Sequence, residues 1–113
     1  MNWKSRLSLG RAKKVQEVLR RLSPYSPAKV ILFGSFARNE SDDVSDMDLL
    51  VIKETDEDFF SRIRRVWVLL GLKPMVDVLV YTPAEFRAMK ERGNALIETV
   101  LEEGLVLYEQ PGA

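Results

Sequence analysis

The sequence contains no cysteine and no histidine. Without cysteine, disulfides and thiolate metal sites are excluded, which is consistent with a cytoplasmic protein. Without histidine, catalytic triads that use an imidazole base and the usual zinc sites are excluded as well. Any catalysis by this chain must therefore use carboxylates, hydroxyls, lysine or arginine, backbone dipoles and hard metal ions.

The sequence also lacks net charge and long apolar runs. Its 17 basic and 17 acidic residues cancel, which argues against direct DNA binding through a broadly cationic surface. The longest apolar run, around residues 66–72, is far too short to cross a bilayer, and the N-terminus lacks the apolar core of a signal peptide. We therefore expect a cytoplasmic protein without a membrane partner.

Composition and length predict one globular domain over residues 1–113. The chain is 46% hydrophobic and 30% charged, as is typical of a soluble protein. A chain of this length buries roughly two-thirds of its unfolded surface.

Hydrophobic periodicity predicts the element order α-β-turn-β-α-β-α-α-β, a sheet with helices packed on it. The predicted strands cover residues 29–33, 47–53, 75–81 and 105–108, and the first helix covers residues 9–22. A short helical turn is predicted over residues 36–39. The stripe of the helix that closes at Gly71 includes Trp67, and we expect Trp67 and Phe86 to pack in the core.

Two capping patterns mark predicted helix starts. Thr55 with Asp58 three residues later is a capping-box spacing, and so is Thr82 with Glu85. Pro83 occupies the first helical position of the second pattern, where proline is favoured.

Three carboxylates are placed unusually. Asp46 and Asp48 stand at the head of the second strand and project to the same side, because strand side chains alternate. Asp77 interrupts the apolar third strand, where an edge charge or an ion pair is the simple alternative. If these strands are neighbours, the three carboxylates converge, and two charges ~4 Å apart repel by about 4 kcal/mol at an effective dielectric near 20. A hard cation, Mg²⁺ or Mn²⁺, would compensate this repulsion, and two such ions clamp a phosphoryl group.

A Gly34-Ser35 turn follows the first strand. Glycine lets the backbone approach a ligand closely, and the turn offers amides and a hydroxyl to phosphate oxygens. Arg38 adds a cation that could reach the phosphate chain. An ordinary turn and a surface arginine are the alternatives.

These motifs together resemble the signature of the DNA polymerase beta-like nucleotidyltransferase superfamily. GSFAR (residues 34–38) is followed by a loop and SDMDLLV (residues 45–51), and Asp77 in VDVLV matches the family's third carboxylate. The ending EEGLVLYE (residues 102–109) is similar to that of the minimal nucleotidyltransferase (MNT) branch. The resemblance spans the chain from the first helix to Tyr108. It implies an α+β fold, a mixed β-sheet flanked by helices.

The resemblance also implies an activity, the transfer of a nucleoside monophosphate from a triphosphate, usually ATP, to an acceptor hydroxyl. By matching position, Asp46 and Asp48 would hold both metal ions. Asp77 would hold the catalytic ion and help to activate the hydroxyl. Gly34 and Ser35 would bind the β- and γ-phosphates.

Asn39 departs from the family pattern, which usually has glycine after the arginine. Asparagine tolerates the left-handed backbone conformation better than most residues, so we expect the turn to be kept.

The resemblance further suggests how the acceptor is presented. Larger relatives carry a second domain for this purpose, so we expect a homodimer or a partner protein here. Many minimal nucleotidyltransferases resemble antitoxins that silence helical HEPN-type ribonuclease toxins by attaching AMP to a tyrosine. A small molecule or RNA end as acceptor, and an antitoxin that acts by binding alone, remain open alternatives. A receiver-like domain is disfavoured, because Gly-Ser stands where its acidic pair would be. The acceptor, the preferred nucleotide and the oligomeric state are left open by the sequence.

Overall fold

The structure, a computed structural model, describes residues 2–39, 47–71 and 76–111. Its helices are α1 (Leu9–Leu22), α2 (Gly34–Ala37), α3 (Phe59–Leu69), α4 (Pro83–Glu91) and α5 (Ala95–Glu103), with short 3₁₀ turns at Trp3–Ser5 and Ser23–Tyr25. Its strands are β1 (Lys29–Phe33), β2 (Met47–Ile52), β3 (Val76–Tyr81) and β4 (Leu105–Glu109). Both α1 and β1 have the predicted bounds. None of the helices in the described ranges has the length and apolarity that a membrane span needs.

The strands of the described residues form one four-stranded sheet in the order β3-β2-β1-β4. Strand β1 is antiparallel to both β2 and β4, whereas β2 and β3 are parallel. The sheet is therefore mixed, and the predicted α+β class is confirmed. The second and third strands are neighbours, as the convergence of the carboxylates requires.

Apolar side chains cover both faces of the sheet, because strand residues alternate between them. On one face, Val15 of α1 and Val66 of α3 belong to the same buried cluster as Leu49 and Val78. On the other face, Ile97 of α5 packs in a second cluster, which also contains Ile31, Leu50, Ile52 and Val100. Phe86 of α4 packs against this second cluster, as predicted.

The start of α4 confirms one capping prediction. Thr82 Oγ1 accepts a hydrogen bond from the Glu85 amide at 3.1 Å, and Glu85 Oε1 accepts one from the Thr82 amide at 2.8 Å. Pro83 is the first residue of the helix. Both amides at this helix end are thus satisfied reciprocally.

The other capping prediction is wrong. Helix α3 begins after Asp58, whose carboxylate accepts a hydrogen bond from the Ser61 amide at 2.9 Å. Thr55 instead accepts a hydrogen bond from the Glu57 amide two residues later. Aspartate is a stronger N-cap than threonine, and Asp58 stands next to the apolar stripe of the helix.

The prediction that Trp67 packs in the core is also wrong, because its side chain is 44% exposed. Helix α3 buries Val66, with Leu70 buried just beyond its end. Trp67 lies about 100° around the helix from Val66, which places it at the margin of the buried stripe.

A buried arginine links α3 to α4 and β3. Arg62 is 7% exposed, and its guanidinium donates to Glu85 Oε1 at 2.7 Å and to the Val80 carbonyl at 3.2 Å. Arg62 Nε donates to the Glu57 carbonyl at 2.8 Å. The hydrogen bond from Arg62 lowers the pKa of Glu85.

Glu85→Ala should lower the free energy of unfolding at pH 7 by about 2–3 kcal/mol, because it removes a capping-box partner and leaves a buried charge without its carboxylate. Urea denaturation measures this loss. The matched control is Glu57→Ala, which removes a partly exposed ion pair with Arg65 and should lower the free energy of unfolding much less, because exposed ion pairs contribute little to stability.

The Glu85 contribution should also depend on pH. Since the folded-state pKa is lowered, the stabilisation is present above the ordinary value of 4.5 and is lost as the pH falls below it. The difference in the free energy of unfolding between wild type and Glu85→Ala should therefore become smaller below pH 4.5. Equal losses of unfolding free energy for Glu85→Ala and Glu57→Ala at pH 7 would contradict the stabilising role assigned to Glu85.

Candidate active site

One end of the sheet gathers the predicted site residues that the structure describes. Strand β1 ends at Phe33, which is paired with Asp48 at the beginning of β2. Asp48 is in turn paired with Asp77 at the beginning of β3. Strand β4 also begins at this end, where Leu105 is paired with Leu32. Gly34, Asp48 and Asp77 therefore lie on neighbouring strand ends.

Asp48 and Asp77 occupy directly opposite positions in parallel strands. Both side chains point to the face of the sheet that is covered by α4 and α5. Strand side chains alternate between faces, so Asp48 is on the same face as Leu50, which packs with α5, and on the opposite face from Met47. Neighbouring strands are about 4.8 Å apart, so the two carboxylates are adjacent. Asp48 is partly buried and Asp77 is exposed.

Strand β3 lies at an edge of the described sheet, so an exposed Asp77 also agrees with the edge-charge interpretation. That interpretation does not explain the register, because like charges directly opposite each other across two strands destabilise the sheet. A ligand that needs both carboxylates does explain it.

The Asp48 carboxylate lies against the glycine of the turn. A Cβ atom added to Gly34 would overlap Asp48 Oδ2. Gly34 also has φ +80°, in the left-handed region that favours glycine. The backbone conformation therefore favours glycine at this position, and any larger side chain would displace the Asp48 carboxylate.

The turn after β1 is a single helical turn, α2, which begins two residues earlier than predicted. Phe36 is fully buried and anchors the turn in the core, while Ser35 remains partly buried. The amide of Arg38 donates to the Gly34 carbonyl, and the amide of Asn39 donates to the Phe36 carbonyl, both at 3.3 Å. Asn39 has φ +58°, so its predicted left-handed conformation is confirmed.

Arg38 contacts the C-terminal end of α5. Its Nη1 lies 2.7 Å from Oε2 of Glu103 in an ion pair that is partly exposed. A cleft of about 680 Å³ adjoins this pair and is lined on other sides by Trp3, Arg6 and Val106. The predicted contact of Arg38 with nucleotide stays a prediction.

Asp46, the first of the three predicted carboxylates, lies outside the described residues. The structure thus brings together Asp48 and Asp77 of the three predicted carboxylates. Within the described ranges, no group of three or more acidic side chains is suited to a metal ion. The two carboxylates supply only oxygen donors beside an open turn, a donor set that fits Mg²⁺ or Mn²⁺.

The sequence interpretation missed the attachment of the turn to the N-terminal segment. The Asn39 side chain hydrogen-bonds with Ser8 and Arg6, which precede it by about 30 positions. The one signal in the sequence was that asparagine replaces the usual glycine.

Comparison with known families identifies the family of this chain. The family model described as "Nucleotidyltransferase domain" matches residues 12–107. The chain belongs to the nucleotidyltransferase domain family. The predicted membership is confirmed, and this nucleotidyltransferase has the Gly34 turn, Asp48 and Asp77 inside the matched range.

A relative supports the same assignment. A protein of Methanocaldococcus jannaschii, named as a proposed protein adenylyltransferase, MJ0604, is 35% identical over 80 residues. The aligned region covers 71% of this chain and 77% of the relative.

Two solved structures share the fold of this nucleotidyltransferase. One, described as a proposed nucleotidyltransferase from Sulfolobus solfataricus, has a TM-score of 0.64 at 18% identity, over 92% of this chain and 87% of the other. The second is a toxin–antitoxin complex with AMP-PNP, with a TM-score of 0.57 at 19% identity, over 86% of this chain and 74% of the other.

Proposed function

We propose that this nucleotidyltransferase transfers AMP from ATP to a hydroxyl group of a partner protein, in a reaction that requires Mg²⁺ or Mn²⁺. The observation that carries the proposal is the direct pairing of Asp48 with Asp77 beside the Gly34 turn. Two adjacent carboxylates fit a divalent ion, and the glycine turn allows close approach of a phosphate chain. The relative named as a proposed protein adenylyltransferase supports a protein acceptor.

The carboxylates have distinct roles in this proposal. Asp48 and Asp77, together with Asp46, would hold the metal ions. Bound divalent ions neutralise phosphate charge and orient the phosphate oxygens. Asp77 also helps to take the proton from the attacking hydroxyl as the oxygen–phosphorus bond forms and pyrophosphate leaves.

The turn would hold the leaving part of the nucleotide. Gly34 contributes its backbone, and Ser35 contributes its amide and hydroxyl, to the β- and γ-phosphates. Arg38 would add positive charge, which requires its guanidinium to shift from Glu103 toward the phosphates.

The partner we propose is a helical HEPN-type toxin that is modified on a tyrosine, which makes this chain a cytoplasmic antitoxin. The fold shared with a toxin–antitoxin structure that contains AMP-PNP supports a toxin as the partner and an adenine nucleotide as the substrate. A partner or a second copy of the chain would present the acceptor.

The direct test incubates the purified chain with labelled ATP, Mg²⁺ and a HEPN-type toxin, the proposed partner. We expect label on one tyrosine of the partner, a mass increase equal to one AMP, and no transfer after chelation of the metal. Replacement of the modified tyrosine by phenylalanine is the control. Label on RNA or on a small molecule would instead support the other acceptor class, and absence of label on every acceptor would contradict the proposal.

A cell-based measurement separates catalysis from binding. The Asp48→Asn/Asp77→Asn double variant should fail to protect cells that express the partner toxin. Full protection by this variant at wild-type protein level would show that binding alone neutralises the partner.

A further inference from the structure

The side chain of Asn39 makes a network of hydrogen bonds at the end of the nucleotide turn. Its Oδ1 accepts from the Ser8 amide at 3.4 Å and from Arg11 Nη1 at 3.2 Å. Its Nδ2 donates to the Arg6 carbonyl at 2.7 Å. One residue of the turn thus bonds to three positions of the N-terminal segment.

Arg11 contacts the turn at a second point. It is 6% exposed, and its guanidinium carbon lies 5.3 Å from the centre of the Phe36 ring, within the range of a cation–π interaction. Ser8 joins this arrangement to α1, because its hydroxyl accepts a hydrogen bond from the Arg11 amide at the helix start. The beginning of α1 and the turn therefore form one unit.

The backbone conformation of Asn39 does not by itself require this side chain. A glycine would adopt φ +58° at no steric cost, whereas asparagine adopts it and adds three hydrogen bonds. The turn has little stability of its own, because α2 contains four residues and so short a helix does not form independently in water.

We propose that Asn39 is a positioning residue of the nucleotide site. Together with Arg6, Ser8 and Arg11 it holds residues 34–38 in place beside Asp48. The inference rests on the proposed function, because it assumes that the turn binds the phosphates of ATP. A turn that is already ordered loses less conformational entropy when it binds phosphate. The N-terminal segment thus belongs to the nucleotide site, although it lies outside the catalytic motif.

Asn39→Gly tests this role, because it keeps the left-handed backbone accessible and removes the side-chain bonds. We expect the KM for ATP to rise about five- to tenfold. A change of this size corresponds to the net contribution of roughly one hydrogen bond. The kcat should stay within about twofold of wild type, because the turn binds substrate and transition state alike. Asn39→Asp keeps the acceptor oxygen and should recover part of the loss.

Asn94→Gly is the matched control. Asn94 also uses its side chain for a backbone hydrogen bond, from the Ile97 amide at 3.2 Å, at the start of α5. Asn94 is at the N-terminal end of α5, whereas the C-terminal end lies near the turn, where Glu103 pairs with Arg38. Asn94→Gly should reduce the Tm without any change in the KM for ATP.

Amide hydrogen exchange in the ligand-free protein gives a readout that needs no activity. The Arg38 amide and that of residue 39 should exchange faster in Asn39→Gly and at the wild-type rate in Asn94→Gly. Unchanged exchange at these amides, or an equal rise of KM in both variants, would overturn the inference while the proposed function stands. A wild-type protein that does not bind ATP would overturn the proposed function, and with it the nucleotide role of Asn39. The exchange rates would then still report whether Asn39 orders the turn.

Discussion

Asp77→Asn should lower the rate of AMP transfer by about a hundredfold or more, because loss of a second-shell metal partner already costs 10- to 100-fold and this residue is proposed to bind the metal directly. The substitution keeps the shape of the side chain and removes its charge. Since Asp77 faces Asp48 across the parallel strands, the loss of one negative charge relieves repulsion. The free energy of unfolding should therefore be unchanged or slightly raised. Steady-state transfer rates and urea denaturation measure the two effects.

The matched control for Asp77→Asn is Asp56→Asn. Asp56 is an exposed carboxylate in the loop between β2 and α3, beyond the end of β2 that is opposite to the site. This variant should transfer AMP at the wild-type rate. Mn²⁺ titration adds a second readout, since Asp77→Asn should weaken Mn²⁺ binding and Asp56→Asn should not. A fully active Asp77→Asn protein would refute the assignment of this carboxylate.

Gly34→Ala should both destabilise the fold and remove activity. The added methyl group would overlap the Asp48 carboxylate, and alanine at φ +80° costs about 1–2 kcal/mol. We expect the free energy of unfolding to fall by about 2 kcal/mol or more, because the backbone strain and the collision act together. Transfer should fall by about a hundredfold, because Asp48 is displaced by roughly 1 Å.

Gly93→Ala measures the energetic cost of the left-handed backbone conformation without a steric overlap. Gly93 has φ +71°, and a Cβ there would meet Glu98 Oε1 at 3.4 Å, an ordinary contact. This variant should lose about 1 kcal/mol or more of stability and keep its transfer rate. If Gly34→Ala and Gly93→Ala behave alike in both measurements, the close contact between Gly34 and Asp48 has no role in the site.

Much of the fold follows from local patterns. The bounds of α1 and β1 and the capping box at Thr82 agree with the prediction, because apolar periodicity and cap chemistry act over a few neighbouring residues. Two of the errors arose where local signals compete. Asp58 caps α3 in place of Thr55, and Trp67 lies at the margin of a helical stripe whose centre is chosen by packing on the sheet.

The candidate site could be predicted in its chemistry but not in its arrangement. The absence of histidine and cysteine, the glycine turn and the aspartates of two strands indicate oxygen ligands for a hard cation and a phosphate-binding turn. These are properties of residue type and spacing. The motifs also carry the family resemblance that the match over residues 12–107 confirms.

Tertiary structure alone decided which strands are neighbours and in which register. A shift of one residue between β2 and β3 would turn Asp77 to the opposite face from Asp48, and no local signal specifies that register. The contact of Gly34 with Asp48 and the bonds from Asn39 to the N-terminal segment likewise join residues far apart in the chain. Such contacts depend on how the whole core packs, whereas helices, caps and residue chemistry depend on neighbours a few positions away.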